Sequence, residues 1–358
     1  MKDKNRLWII VIIAFIGAAV IACNNGTTNP GAPVVTVYAA GEYEELDDSI
    51  ACYWKGGVRT NLPVPTGTTG SGAGAITVVN GIVYTAGSYT KEPGKWNVCY
   101  WKGIAREDLP VLSEPVYSQA TAIAVVNGTV YTAGQSEYEE PAVRKACYWA
   151  GTDHNDLYPA GATTSRAEAI TVVNDTVYTV GFYDASGSRK ACYWIGTART
   201  DLPVPTGVTY SRAEAITVVN GAVYAAGYYE DESSSRKACY WTETSCAGLS
   251  VPTGATGSSA YAITVVNGTV YTAGEYWGSG FDKACYWTGT TYTDLPVPAG
   301  VTDPYAGAIT LVNGTVYTAG AYEDSGVWKV CYWTGTKRTD QYILNENEYL
   351  GYIFIVVE

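Results

Sequence analysis

The sequence predicts an all-β chain built as a ring of repeated four-stranded sheets. Three observations carry that expectation. The tripeptide Cys-Tyr-Trp occurs seven times, beginning at Cys52, Cys99, Cys147, Cys192, Cys239, Cys285 and Cys331. The motif Val-Tyr-x-x-Gly recurs in phase with it, beginning at Val37, Val83, Val130, Val177, Val223, Val270 and Val316. Asn-Gly dipeptides sit between two β-branched runs at Asn80, Asn127, Asn220, Asn267 and Asn313. Asn-Gly is the strongest two-residue hairpin signal, because both positions accept positive φ. Four short strands in each ~46-residue repeat match the blade of a propeller. Residues 34–358 are therefore expected to form a seven-bladed β-propeller.

The elements follow in chain order. Residues 1–6 are net positive and residues 7–22 (LWIIVIIAFIGAAVIA) are wholly apolar. This is the n-region and h-region of a signal peptide, assigned to 1–22. The run ends at Val20-Ile21-Ala22-Cys23, which resembles the bacterial lipobox. That resemblance implies cleavage before Cys23 and a lipid on Cys23 that anchors the chain to the membrane. A transmembrane span would need about 20 apolar residues, slightly more than this run offers. Cys23 to Pro33 reads as the lipidated cysteine and a flexible tether. Asn24 stands where an Asp would hold an enteric lipoprotein in the inner membrane. The expected address is the bacterial cell envelope, lipid-anchored, at the outer membrane.

One repeat divides into four strands. Strand a is Ala215–Asn220 and strand b is Ala222–Tyr229, joined at Asn220-Gly221. Strand c is Lys237–Trp241, and strand d is typified by Arg199–Pro205, whose prolines suit an outer edge. Asn174-Asp175 is the variant hairpin turn. The first repeat enters at strand b and lacks a strand a. The chain ends in IFIVVE (353–358), which aligns with AITVVN position for position. The C-terminal strand is thus expected to pair into the first blade and close the ring, removing open edges.

The unit RAEAITVVNGAVYAAGYY…KACYW…DLPVP resembles the kelch repeat, and ACYWTGT…TDL…NGxVYTAG resembles the bacterial repeats called the HAF family. The kelch glycine pair is here Ala-Gly, and the kelch Trp before Leu-Pro is absent. Both resemblances imply a propeller, and neither implies an activity.

Composition narrows function. A net charge of −12 excludes the basic face that nucleic-acid binding needs. One His, His154, leaves no multi-His metal site and no base for a Ser-His-Asp triad. No metal site and no cofactor are expected. His154 stands seven residues after Cys147, where other repeats have Arg59, Arg106, Arg199 or Arg338, and is expected to be a solvated surface residue. The equivalent cysteines lie on sheets about 10 Å apart, too far for disulfides, and read as small buried hydrophobes. Cys246 is separate from that series: it stands seven residues after Cys239, at the repeated arginine position, and reads as an accident of drift or a free surface thiol.

The a–b turns are nearly invariant between repeats, whereas the b–c loops vary and gather aromatic and acidic residues. The b–c/d–a loop face is therefore the expected binding face for a protein or a glycan. At the entry to strand a, Arg166, Glu168, Arg212 and Glu214 come from adjacent repeats and can form a charged cluster at the channel mouth. One reading is a rim of surface ion pairs. The sharper one is a polar ligand site, with Tyr261 and Tyr305 as stacking surfaces. The expected function is a monomeric, envelope-anchored binding scaffold without catalysis. The alternatives are a structural or antigenic surface protein, or a carbohydrate-active enzyme using Glu168 and Glu214.

Overall fold

The computed structural model describes residues 33–46, 48–92, 94–112, 115–139, 143–345 and 347–357. The signal peptide, Cys23 and the tether up to residue 32 lie outside the described residues. The described chain holds 28 strands and no helix.

The strands pair antiparallel in consecutive groups of four, which we call units one to seven and whose strands we letter a to d. Strand a is Ser71–Val79, Tyr117–Val126, Thr164–Val173, Tyr210–Val219, Ala255–Val266 and Thr302–Val312 in units two to seven. In unit one it is the C-terminal strand, Glu348–Val357, which pairs with Val35–Glu45. Each strand a packs on the next around the molecule, and Glu348–Val357 packs on both Thr302–Val312 and Ser71–Val79. Neighbouring units also meet through single parallel bridges, such as Trp96 with Tyr117 and Arg189 with Tyr210.

Two expectations about strands need correction. Strand a of unit five runs Tyr210–Val219, five residues earlier than the β-branched run suggested, because the Ser-x-Ala-x-Ala segment also pairs. The C-terminal strand is shifted by one residue from the IFIVVE alignment. Phe354 pairs with Tyr38 as Thr217 pairs with Tyr224, so Tyr352–Val357 is the equivalent of Ala215–Asn220. The buried face of the strand sets this register.

The hairpin turns behave as their sequence demands. Asn80 and Gly81 sit at φ 50° and 75°, and Asn174 and Asp175 at 49° and 59°, so the variant Asp takes the same left-handed geometry.

The repeated motifs are the ties between units. Trp54, Trp101, Trp149, Trp194, Trp241, Trp287 and Trp333 are all fully buried. Trp101 Nε1 donates to Pro63 O of the preceding unit at 2.8 Å, and Trp241 to Pro203 O at 2.7 Å. In return, Ala191 N in unit four donates to Ser211 Oγ in unit five at 2.9 Å. Ala51 with Ser71, Ala146 with Ser165 and Ala238 with Ser258 repeat that bond. The Trp of Cys-Tyr-Trp thus satisfies a carbonyl at the Leu-Pro segment, which strand d leaves unpaired because it ends before the proline.

The outer face carries a second repeated device. Tyr183 Oη donates to Asp201 at 2.9 Å while Arg199, bound to Asp201, lies over the Tyr183 ring. Tyr89, Arg106 and Asp108 repeat this arrangement, as do Tyr322, Arg338 and Asp340. Unit three departs from it, with Ser136 at the Tyr position and His154 at the Arg position. With no ring to cover, His154 turns inward against Trp149, 5.4 Å between ring centres, and its side chain is only 4% exposed. The expectation of a solvated His154 is therefore overturned; burial pulls its pKa down, opposed by Asp156. Cys246 is a free thiol, half-buried on strand d of unit five, where it pairs with Trp241.

Candidate functional site

Strand a carries a bulge at one fixed place in each unit. In unit five, Ala213 pairs with Gly227 and Ala215 with Ala226, which leaves Glu214 as the extra residue. The same shift makes extra residues of Gly74, Thr121, Glu168 and Tyr261, and of Gly307 and Gly351. The bulge explains the glycine of Val-Tyr-x-x-Gly. A Cβ on Gly227 would overlap the Arg212 carbonyl oxygen, and Gly87, Gly134 and Gly181 face Gly72, Gln119 and Arg166 in the same way. Bulges re-aim side chains. Here each aims one residue of strand a at the next unit: Thr121 Oγ1 donates to Ala167 O at 2.7 Å across that boundary.

The bulge and the residue two before it supply the predicted cluster. Arg166 Nε lies 3.1 Å from Glu168, Arg212 Nη2 lies 2.6 Å from Glu168, and Arg212 Nε lies 2.8 Å from Glu214. The structure therefore brings Arg166, Glu168, Arg212 and Glu214 together as one chain of alternating charges across units four and five. It does not place them on a surface rim. Glu168, Arg212 and Glu214 are 0%, 3% and 2% exposed, and only Arg166, at 17%, reaches toward solvent. The physical reason is the bulge, which turns both carboxylates between units rather than outward. Burial raises the Glu214 pKa although Arg212 pulls it down; Arg212 is held protonated by its two carboxylates against its own burial. Glu214 Oε2 and the neighbouring Tyr228 Oη keep no hydrogen-bond partner.

Tyr305 is not an open stacking surface, whereas the Tyr261 ring is half-buried. Tyr261 Oη donates to Glu275 at 2.6 Å, and Tyr305 is buried against Trp328, 6.0 Å between ring centres. They lie in units six and seven, and Tyr261, on the unit that packs on unit five, lies within the electrostatic reach of Glu214. Glu42 and Glu275, two residues that sequence reasoning missed, belong to the same ring position on strand b, directly after the glycine. Burial, with Glu44 nearby, pushes the Glu42 pKa up to about 7. The signal that could have found them is their fixed place one residue after each Val-Tyr-x-x-Gly glycine.

Half-buried aromatic rings collect at the loop end of the same strands. Trp96 lies 5.8 Å from Tyr117, and Tyr210 stacks on Tyr228 at 6.2 Å with Arg189 over its ring. A separate groove, lined by Trp54, Arg59, Asn61, Asn345 and Glu348, marks where unit one meets the end of unit seven, and there Arg59 binds Glu348 at 2.6 Å. Among the described residues no group of three or more His, Cys, Asp or Glu is placed to hold a metal ion.

Sheets of four antiparallel strands, packed strand a on strand a, define the chain as a β-propeller. The β-propeller domain of the Trilobed protease from Pyrococcus furiosus, described with an open velcro topology, is similar to it in fold. The two match with a TM-score of 0.50 at 9% identity, over 89% of this chain and 98% of that one. No protein-family model matches the chain, and no curated protein matches it.

Proposed function

We propose that the chain is a lipid-anchored binding propeller of the bacterial envelope, which recognises a protein or glycan partner on its b–c/d–a loop face. The seven units are read as seven blades of a ring closed by Glu348–Val357. The pairing of that strand with Val35–Glu45, and its packing on both neighbouring units, support closure. The lipobox at Val20–Cys23 supports the anchor. The kelch-like and HAF-like reading of the repeats rests on their motifs.

One observation carries the binding reading. The ties between units repeat almost unchanged, while the loop-end positions change chemistry from unit to unit. Trp96, Tyr117, Tyr210 and Trp328 remain half-buried there. Rings that keep one face wet suit the apolar faces of sugars or peptide side chains. The same geometry favours a scaffold over an enzyme, because the matched carboxylates Glu168 and Glu214 are both engaged by Arg212. A general acid and base need a substrate between them.

A glycan array and a crosslinking screen against envelope proteins, run with the full chain, test the reading. A bound partner should be lost in Trp96→Ala and Trp328→Ala and kept in Lys337→Ala, on the opposite face. Silence in both screens, or binding indifferent to the two tryptophans, would sink it.

A further inference from the structure

The face made by the a–b turns and c–d corners is chemically uniform over most of the molecule. Extending the b–c ladder two residues past its last Tyr pair brings two residues opposite each other at every corner. In units three, four, six and seven both are threonine: Thr129 with Thr152, Thr176 with Thr197, Thr269 with Thr290, Thr315 with Thr336. In unit two they are Ile82 and Ile104, 40% and 61% exposed. Unit one adds Val34 and Val58, 64% and 69% exposed. At the Ile82 and Ile104 positions the repeats show that threonine satisfies the corner; in unit one that pair is Thr36 and Gly57, and exposed Val34 and Val58 stand beside it.

Charge divides along the same line. Opposite the Tyr of Val-Tyr-x-x-Gly, strand c has exposed Lys55 in unit one and exposed Lys102 in unit two, and the other units have Ala150, Ile195, Thr242, Thr288 and Thr334, of which Ile195 is also exposed. Lys55 lies 5.6 Å over the Tyr38 ring, and Lys102 lies 5.9 Å over Tyr84. Exposed Lys337 adds a third cation on unit seven, next to unit one. The exposed acids of this face, Asp153, Asp175 and Glu243, lie on units three, four and five. Glu358 lies outside the described residues.

The chain enters the sheet at this place. Val35 begins strand b of unit one at its turn end, so residue 34 leaves the ring beside Val58. Cys23 lies eleven residues earlier in the sequence. A lipid on Cys23 would hold units one and two within reach of the bilayer.

We propose that the turn face of units one, two and seven docks on an anionic phospholipid bilayer. Val34, Val58, Ile82 and Ile104 enter the interface, and Lys55, Lys102 and Lys337 meet lipid phosphates. The proposal rests on the anchor reading above and deepens it: the lipid tethers the ring, and this face orients it with the b–c/d–a loops pointing away. Aliphatic side chains beside lysines are the composition that binds anionic membrane surfaces.

The test uses the full chain reconstituted into phosphatidylcholine vesicles with or without phosphatidylglycerol. In a Cys246→Ser background, one environment-sensitive fluorophore is attached through I104C or, on the loop face, E232C. Lipid-borne nitroxide should quench the label at 104 several-fold more than the label at 232. Lys55→Glu with Lys102→Glu should lower the ratio of docked to undocked ring at least roughly tenfold in phosphatidylglycerol vesicles. Chain that stays on the vesicles with 104 as wet as 232 overturns the docking face and leaves the anchor standing. Chain that carries no lipid on Cys23 by mass spectrometry and leaves the vesicles overturns both.

Discussion

Arg212 sits between two carboxylates in a part of the molecule that water does not reach. Its worth lies less in attraction than in what its removal leaves behind. Arg212→Met would strand Glu214 and leave Glu168 with Arg166 alone, and breaking a buried pair costs about 3–5 kcal/mol. Combining Arg212→Met with Glu168→Gln and Glu214→Gln removes both carboxylate charges as well, and should cost clearly less than the single change. Urea unfolding of the single and triple variants checks the order. Glu42 makes a different prediction. Its folded pKa of about 7 lies above that of an unfolded glutamate, so the folded state holds a proton that the unfolded state has lost. Its contribution is full below about pH 4 and declines as pH rises to about 7. Glu42→Gln should therefore stabilise the protein at pH 8 by about 1–3 kcal/mol and change little at pH 4. Melting curves across pH 4–8 that keep the wild-type slope in this variant would count against the assignment.

At the scale of the element, the bulge of strand a is the decisive feature. It turns one residue per unit toward the neighbour, a side chain in four units and a glycine in three, and it requires glycine opposite. Gly227→Ala would drive a Cβ into the Arg212 carbonyl and should cost about 2–4 kcal/mol, with loss of the ion-pair chain. Gly81→Ala meets only its positive φ, in open space, and should cost about 1–2 kcal/mol. Equal losses in thermal unfolding would mean that the bulge is not what holds this glycine. The motif itself was plain in the sequence, but its reason was not, because the overlap is with a carbonyl on the paired strand. The same holds for Glu42 and Glu275: nothing local marks them, and only the pairing shows that they share one ring position.

The whole molecule depends on a strand from the far end of the chain. Ile353, Tyr352 and Leu350 are buried in unit one, and Glu348–Val357 contacts the units on both sides. Deleting residues 349–358 removes a strand and bares two unit faces, so one cooperative transition should shift down by well over 10 °C, or the protein should not fold. Calorimetry that finds the truncated chain melting like the full one would refute closure by this strand. The asymmetry of the turn face also belongs to this scale. Ile82, Ile104, Lys55 and Lys102 are ordinary one by one, and become a surface only when two units stand side by side.

The sequence by itself determined the all-β class, the seven repeats, the Asn-Gly hairpins and the pairing of Arg166, Glu168, Arg212 and Glu214 across two repeats. These follow from period and phase, which a linear chain displays directly. Tertiary structure decided how deep those charges lie, that His154 turns inward where Ser136 replaces a tyrosine, and the one-residue register of the C-terminal strand. Each of these depends on what faces a residue across a sheet or between two units, and that partner stands tens or hundreds of residues away.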